Sequence, residues 1–507
     1  MFKNKKTFLL ITAFTSGMSI MALEISASRL LAPHFGTSLF VWTNIIGVVM
    51  IALSAGYYWG GKLADRRPQI SLLLKLILTA GIIFLFIPWL IQPLSFLFDL
   101  GFLSSISGSV FIFFGSLLVT LILFAFPLSL LGMVSPFIIK LCSQDNKQIG
   151  NVAGSVFALS TVGSIIGTFL PTLWLIGAMG TKATITIFAL ALIVIASVGL
   201  VGKKYYKLTW LILLMIPLWG VSHLPVKATD GLVFEDESVY QYLQVVDEGN
   251  KRYLIYNEGG GFQSAYSKDK ILTGMYYDYF ATLPYLIPTD EKRVLILGLA
   301  GGIISKQLDH YFGNEIKIDG VEIDGKVIAA ANQYFDLQND SLTVYKQDGR
   351  VFLQQTENKY NLIIVDAYQK QMYIPWTLTT QEFWREASAK LSDQGLVVIN
   401  VNASSSNSSL LQAIANSMAS IFPNTYLAKA GDIDSWNYMI VASNQELDWD
   451  FLSASTDDPE LLNIANKLSD NIRVFGYNPN QTVLTDDKAP IEFMVDSMIV
   501  GYYLDYQ

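Results

Sequence analysis

The chain has 507 residues, 52% of them hydrophobic, with a mean hydropathy of +0.40, values that exclude an ordinary soluble domain. Residues 1–227 carry 15 basic and four acidic side chains (net +11), and residues 228–507 carry 19 basic and 38 acidic ones (net −19). The acidic half would repel a nucleic-acid backbone; the single Cys142 excludes an intrachain disulfide, and three scattered histidines (His34, His223, His310) give no metal-ligand spacing.

Seven apolar runs long enough to cross a bilayer, about 17–25 residues each, fall at 8–28, 39–59, 71–91, 108–133, 151–176, 183–201 and 208–224. Lys3, Lys5 and Lys6 precede the first run and no small-residue cleavage site follows it, so it reads as a retained signal anchor. Twelve basic residues fall on the N-terminal side of the alternating loops, against Arg29, Lys182 and Lys227 on the other. That bias places the N-terminus in the cytoplasm of a multi-pass cell-membrane protein. Seven crossings would put the acidic half outside the cell. The run at 208–224 contains Pro217, is the weakest of the seven, and leaves the side of that half open. Glu24 and Arg29 in or near the first run read either as a helix-locking ion pair or as part of a transport path. Gly150, Gly154, Gly163 and Gly167 predict close helix packing.

After a linker at 225–234, alternation predicts strands at 240–246 and 252–256 with a glycine turn at Gly259-Gly260-Gly261. Four apolar strands alternating with helices then predict a parallel, doubly wound, Rossmann-like sheet. In such sheets ligands sit outside the carboxyl ends of the strands. The first strand, 294–297, runs into Gly298-Leu299-Ala300-Gly301-Gly302. The second, 316–321, ends on Glu322; the third, 342–345, leads to Asp348-Gly349; the fourth, 362–365, ends on Asp366. This is a nucleoside-binding layout. Glu322 is placed to accept from ribose hydroxyls and Asp348 from an adenine amino group. Asp366 is left for chemistry, or else caps the next segment. A helix at 379–391, a strand at 395–401, a helix at 410–421 and a strand at 438–442 complete the sheet, with surface helices over 448–473.

Leu23-Glu24-Ile25, Ser28 through Gly36, Trp42, Gly60 through Arg67 and Gly132 through Pro136 resemble the membrane region of bacterial spermidine synthase-like proteins. In that family a half-transporter-like helical bundle is fused to a spermidine synthase domain. In the second half, Tyr240-Gln241, Gly261 to Gln263 and Tyr276-Tyr277-Asp278 fit the same family, so the resemblance covers nearly the whole chain. It implies an all-α polytopic membrane bundle over 1–226, a small β subdomain over 227–285 and a methyltransferase-type α/β domain over 286–507.

The implied activity is aminopropyl transfer, without a metal, from decarboxylated S-adenosylmethionine (or binding of S-adenosylmethionine itself) to an amine such as putrescine. Gln241, Gly298, Gly302, Glu322, Asp348, Gly349 and Pro375 would hold the co-substrate. Asp366 would take the amine's proton. Gln263, Tyr277, Asp278, Tyr368, Gln369 and Asp487 would face the acceptor. Three positions depart from the family: Gly301 and Gln369 stand where it has aspartates, and Tyr277 where it has histidine, so putrescine is not assured as the acceptor. The segment 368–376 corresponds to the family's gate. The motif 484–492 either returns acids to the mouth of the site or is a turn before a helix. A transferase of other chemistry, such as methyl transfer, and a polyamine-binding or transport protein with a non-catalytic domain also stay open. The expected partners are a small-molecule amine and the lipid bilayer, with no nucleic acid; a homodimer stays open.

Overall fold

The computed structural model describes residues 5–99, 108–143, 149–200, 225–257, 261–368, 372–432, 435–452, 456 and 458–505. The seventh apolar run, Gln369, and Gly259 and Gly260 of the expected turn lie outside the described residues. Contacts divide the chain into two units, Met1–Ala228 with Asp236–Tyr242, and Thr229–Glu235 with Leu243–Gln507.

Among the described residues, the first unit contains five helices long and apolar enough to cross a membrane: Lys5–Phe35, Leu39–Arg66, Ile70–Ile91, Phe113–Cys142 and Ile149–Leu200. The last is 52 residues long. As a straight rod it would span about 78 Å at about 1.5 Å per residue, more than twice a hydrocarbon core of about 30 Å. It is broken at Gly180, whose φ of 81° and ψ of 168° are open to glycine. The new N-terminal turn is capped by Glu237, whose Oε2 accepts from the Thr181 N–H at 2.6 Å.

Packing against the first helix shows that the two limbs run in opposite directions. Cβ atoms on Gly163 and Gly167 would lie 2.2 and 2.0 Å from the Phe14 and Met18 carbonyl oxygens, so the first limb ascends beside that helix. Phe188 packs near Ala22, and Gly199 near Phe8, so the second limb descends. The runs expected at 151–176 and 183–201 are these two limbs. Of the four glycines expected to pack closely, Gly163 and Gly167 do so, whereas Gly150 and Gly154 have open space around them. Widened π turns at Leu121–Ala125 and Pro171–Leu175 lie beside Pro127 and at Pro171, where a missing N–H interrupts the α ladder.

The second half holds two sheets. The smaller has the order β1-β2-β3-β4, with β1 Leu232–Glu237, β2 Tyr242–Glu248, β3 Lys251–Tyr256 and β4 Ser264–Ser267. Two of these strands were expected. Glu248 pairs with Lys251 across a two-residue hairpin whose Gly249 has φ 59°.

The larger sheet has eight strands in the order β12-β10-β11-β9-β8-β5-β6-β7. Here β5 is Lys292–Leu297, β6 Ile316–Glu322, β7 Leu342–Lys346, β8 Tyr360–Val365, β9 Leu391–Asn402, β10 Asn424–Lys429, β11 Asn437–Ser443 and β12 Arg473–Val474. The pairings β7-β6-β5-β8-β9 are parallel, as expected. Beyond them β11, β10 and β12 run antiparallel, so the sheet is mixed. Strand β10 was not anticipated; its six residues, Asn-Thr-Tyr-Leu-Ala-Lys, are too short and too polar to carry a pattern of their own. Successive residues of β5 feed opposite cores: Val294 and Ile296 enter one apolar cluster, Leu295 and Leu297 the other. Both faces are therefore covered, and β5, flanked by β6 and β8, is the point where the strand order reverses.

Candidate active site

At the carboxyl end of β5 the chain must turn tightly against the end of β8. A Cβ on Gly298 would lie 2.5 Å from the Asp366 carbonyl oxygen and 2.6 Å from the Ala367 Cα, and Gly298 has φ 92°. Only glycine fits there on both counts. Ala300 and Gly302 also take positive φ (46° and 76°), and Gly302 precedes the helix Ile303–Phe312. The Gly301 N–H donates to Ser264 Oγ at 2.8 Å, and a Cβ at Gly301 would meet the Ser264 Cβ at 2.7 Å. Ser264 thus occupies the space that a side chain at position 301 would need.

Glu322 supports this loop from the end of β6. Its Oε2 accepts from the Ala300 N–H at 3.0 Å and its Oε1 from the Asp324 N–H at 3.1 Å. It is 8% exposed, and burial pushes its carboxyl upward. A carboxylate offers about four acceptor positions, so Glu322 keeps capacity for a ligand hydroxyl. Asp348 caps the helix Gly349–Gln355, accepting from the Val351 N–H at 3.0 Å, and is otherwise exposed. Gly349 lies directly over Leu297 of β5. The strand ends therefore bring together the glycine loop, Glu322, Asp348 and Asp366.

Asp366 follows β8 and is held on both oxygens. Tyr276 Oη donates to its Oδ2 at 3.0 Å, and Asn400 Nδ2, from β9, donates to its Oδ1 at 3.1 Å. Burial raises the Asp366 carboxyl to about 7, while the Asn400 and Tyr276 hydrogen bonds pull it back. A carboxyl poised near neutrality can take a proton or give one up. Burial, and then the nearby Asp366 charge, raise Tyr276 and Tyr277 above the usual phenol range, so both stay protonated. A cavity of about 360 Å³ beside them is lined by Gln263, Met275, Tyr276, Tyr368, Asp432 and Asn437, among others.

Several residues expected to face the acceptor have other work. Asp278 is 1% exposed and accepts from the Thr273 and Gly274 N–H groups, Thr273 Oγ1 and Gln307 Nε2. With its oxygens used in that way, Asp278, expected to face the acceptor, fixes the turn that carries Tyr276. Tyr368 lines the cavity with its ring, but its hydroxyl donates to the Asn400 carbonyl at 2.9 Å and accepts from the Asn402 N–H. Tyr277 is buried at 2% beneath the Tyr276 ring. Gln263 does line the cavity.

Asp487 is exposed on a turn closed by Thr485 and Lys488. The ordered acid of that motif is Asp486, which receives both terminal nitrogens of Arg350 at 2.8 Å. Arg350 also donates to both oxygens of Glu386. The motif is thus the turn of the two readings, and it clasps the helix that Asp348 caps. Pro375 opens a short helical turn, accepting from the Leu378 N–H at 2.9 Å. Gln241 lies in the segment grouped with the helical unit, where its backbone closes a turn with Ser238.

Sequence reasoning passed over Tyr276 as a ligand of Asp366 and passed over Asn400, Asn402 and Asn437 entirely. The available signal was two asparagines placed two apart at the end of an otherwise apolar strand, Leu-Val-Val-Ile-Asn-Val-Asn.

Residues 274–444 match the family model described as "Spermine/spermidine synthase domain". The second half of this chain carries a spermine/spermidine synthase domain. A "Probable polyamine aminopropyl transferase" from Bifidobacterium longum (strain NCC 2705) is 34% identical to it over 283 residues, 52% of this chain and 62% of the relative. A "Polyamine aminopropyltransferase" from Alkaliphilus metalliredigens (strain QYMF) is 31% identical over 172 residues, 33% of this chain and 58% of the relative. The chain thus spans about six-tenths of the length of these relatives. A solved structure titled as a probable spermidine synthase from Corynebacterium glutamicum ATCC 13032 aligns with a TM-score of 0.39 at 14% identity, over 50% of this chain and 100% of that one. The synthase domain is preceded in this chain by the five long apolar helices.

Proposed function

We propose that the chain is a membrane-embedded polyamine aminopropyltransferase, moving an aminopropyl group from decarboxylated S-adenosylmethionine to an amine. The observation that carries this reading is Asp366: a carboxylate at the end of β8, held by two donors, raised to about 7, and within the same crevice as the glycine loop. The family match and the relatives' names support the choice of transferred group.

In the reaction a neutral amine attacks the aminopropyl carbon attached to the sulfonium sulfur. A C–N bond forms, the C–S bond breaks with its electrons going to sulfur, and methylthioadenosine leaves. The proton lost by the amine passes to Asp366. The glycine loop and Glu322 would hold the nucleoside, and positioning of amine against carbon would supply most of the acceleration. Because Gly301 leaves no acid in the loop and Asp278 is committed to its turn, the acceptor's far end would meet the neutral wall of the cavity and Asp432.

Purified full-length protein in detergent, supplied with decarboxylated S-adenosylmethionine and a diamine, should release methylthioadenosine. Asp366→Asn should lower that release at least about 100-fold. Equal turnover by the two proteins would overturn the reading. Supply of the co-substrate from the cytoplasm requires the domain to lie there, which a C-terminal reporter fusion tests.

A further inference from the structure

Behind Asp366 lies a chain of amides of which the proton-transfer reading uses only the first, Asn400. Asn400, 1% exposed on β9, donates from Nδ2 to Asp366 Oδ1 at 3.1 Å. Its Oδ1 accepts from Asn437 Nδ2 at 3.2 Å, on the neighbouring strand β11. The same Nδ2 donates to Asn402 Oδ1 at 3.0 Å, and the Asn437 backbone N–H rests on Ser435 Oγ at 3.1 Å. The strand register makes this possible, because Asn437 pairs directly with Asn402, and Asn400 with Met439 two residues further along.

The direction of the amides follows from the carboxylate. An ionised carboxylate only accepts, so Asn400 must turn its NH2 toward Asp366 and its carbonyl away. That carbonyl needs a donor, and Asn437 can supply one only with its own NH2 facing inward. Each amide orientation is thereby set by the next, and reversing Asn437 would propagate to Asp366. Without such a lock, an isolated asparagine could present either end at little cost, since the two ends differ little in shape.

Resting on the aminopropyltransferase reading, we propose that Asn400 and Asn437 are positioning residues: Asn437 fixes the amide of Asn400 so that a permanent N–H donor faces Asp366 and keeps it ionised as the proton acceptor. The other titratable groups facing Asp366 are Tyr276 and Tyr277 from the turn and short helix over 273–280, and Tyr368 from its own loop. Asp432, which lines the adjoining cavity, forms an ion pair of 3.8 Å with Lys467. None of these replaces the donor that Asn400 supplies, because the Tyr276 hydroxyl already serves the other oxygen.

Asn437→Asp keeps the shape and swaps the donor for an acceptor. Asn400 should then rotate, offering its NH2 to position 437 and its carbonyl to Asp366. The carboxyl should bind its proton more tightly, so the pH at which turnover rises should move up by at least about one unit, a roughly tenfold loss of kcat below that limb. The KM for the sulfonium donor should hold, and raising the pH should restore the rate. Asn400→Leu, which removes the donor outright, should shift the limb in the same direction without adding charge. A loss of the same factor at every pH, or an unmoved limb in both variants, would overturn the proposal.

The carboxyl can also be followed without turnover. Infrared difference spectra of the full-length protein across pH should show a protonated-carboxyl band that is absent from Asp366→Asn. The midpoint of that band should rise in Asn437→Asp. An unchanged midpoint contradicts the positioning role, whether or not the protein transfers aminopropyl groups. Absence of methylthioadenosine release with a shifted midpoint would instead remove the transferase reading and leave the amide lock standing.

Discussion

Titration of Asp366 links the structure to activity and to stability at once. Burial raises its carboxyl from 3.8 to about 7, a shift of about 3 units or about 4 kcal/mol between its two protonation states. Asp366 is half-buried by surface, on the edge of the crevice, so 4 kcal/mol is an upper figure. Expressed per neutral amine, kcat/KM reports the free enzyme and should rise with pH through about 7. It should fall to about one-tenth of its plateau at pH 6 and about one-hundredth at pH 5. In Asp366→Asn the limb should disappear along with most of the rate.

Stability should move the other way. A folded-state value above the unfolded one means the group's contribution is fully present below about pH 4 and is lost as pH rises through about 7. Asp366→Asn should therefore be more stable than the parent at pH 8, with the gap closing toward pH 4. Thermal unfolding of the detergent-solubilised chain across this range measures it. A kinetic limb near pH 4, or a stability gap independent of pH, would refute the assignment of a buried, raised carboxyl.

Other variants separate the roles of neighbouring groups. Gly298→Ala should abolish methylthioadenosine binding by calorimetry, because its Cβ would lie 2.5 Å from the Asp366 carbonyl oxygen at a φ of 92°. Asp278→Ala should cost about 3 kcal/mol by leaving buried donors at Thr273, Gly274 and Gln307 unpaired, while the amine KM at low temperature stays within about twofold. Arg350→Met should lower the unfolding temperature by about 5 °C, since it strands Glu386 and Asp486; the cost is about 2 kcal/mol, below that of a fully buried pair because Asp486 is 40% exposed. Arg350 holds the Asp486 carboxyl below the usual range, so this contribution is present above about pH 4 and is lost on further acidification.

The elements legible in the sequence were those whose signal is local. An apolar run, a glycine turn and an acid at the strand end can each be read without knowing the neighbours, which is why the glycine loop, Glu322, Asp348 and Asp366 come together as expected. Strand β10 and the roles of Asn400 and Asn437 depend on pairing between β9, β11 and β10, information spread over about 40 residues. Asp278 shows the opposite failure. Its sequence neighbours suggested a ligand, but a turn at Thr273 and Gly274 curls back onto it and uses its oxygens. In the helical half, composition located the runs at 151–176 and 183–201, and counting them as separate crossings already implied opposed courses; which helix they pack against, and the break at Gly180, emerged only from the structure.

The most direct test of the central claim is product identity. The full-length protein is incubated in parallel with decarboxylated S-adenosylmethionine and with S-adenosylmethionine, each with a diamine, and the nucleoside and amine products are resolved by mass spectrometry. Aminopropyl transfer predicts methylthioadenosine and an aminopropylated amine from the decarboxylated donor, and neither from the intact one. S-adenosylhomocysteine with a methylated amine from the intact donor, or no transfer from either, would contradict it.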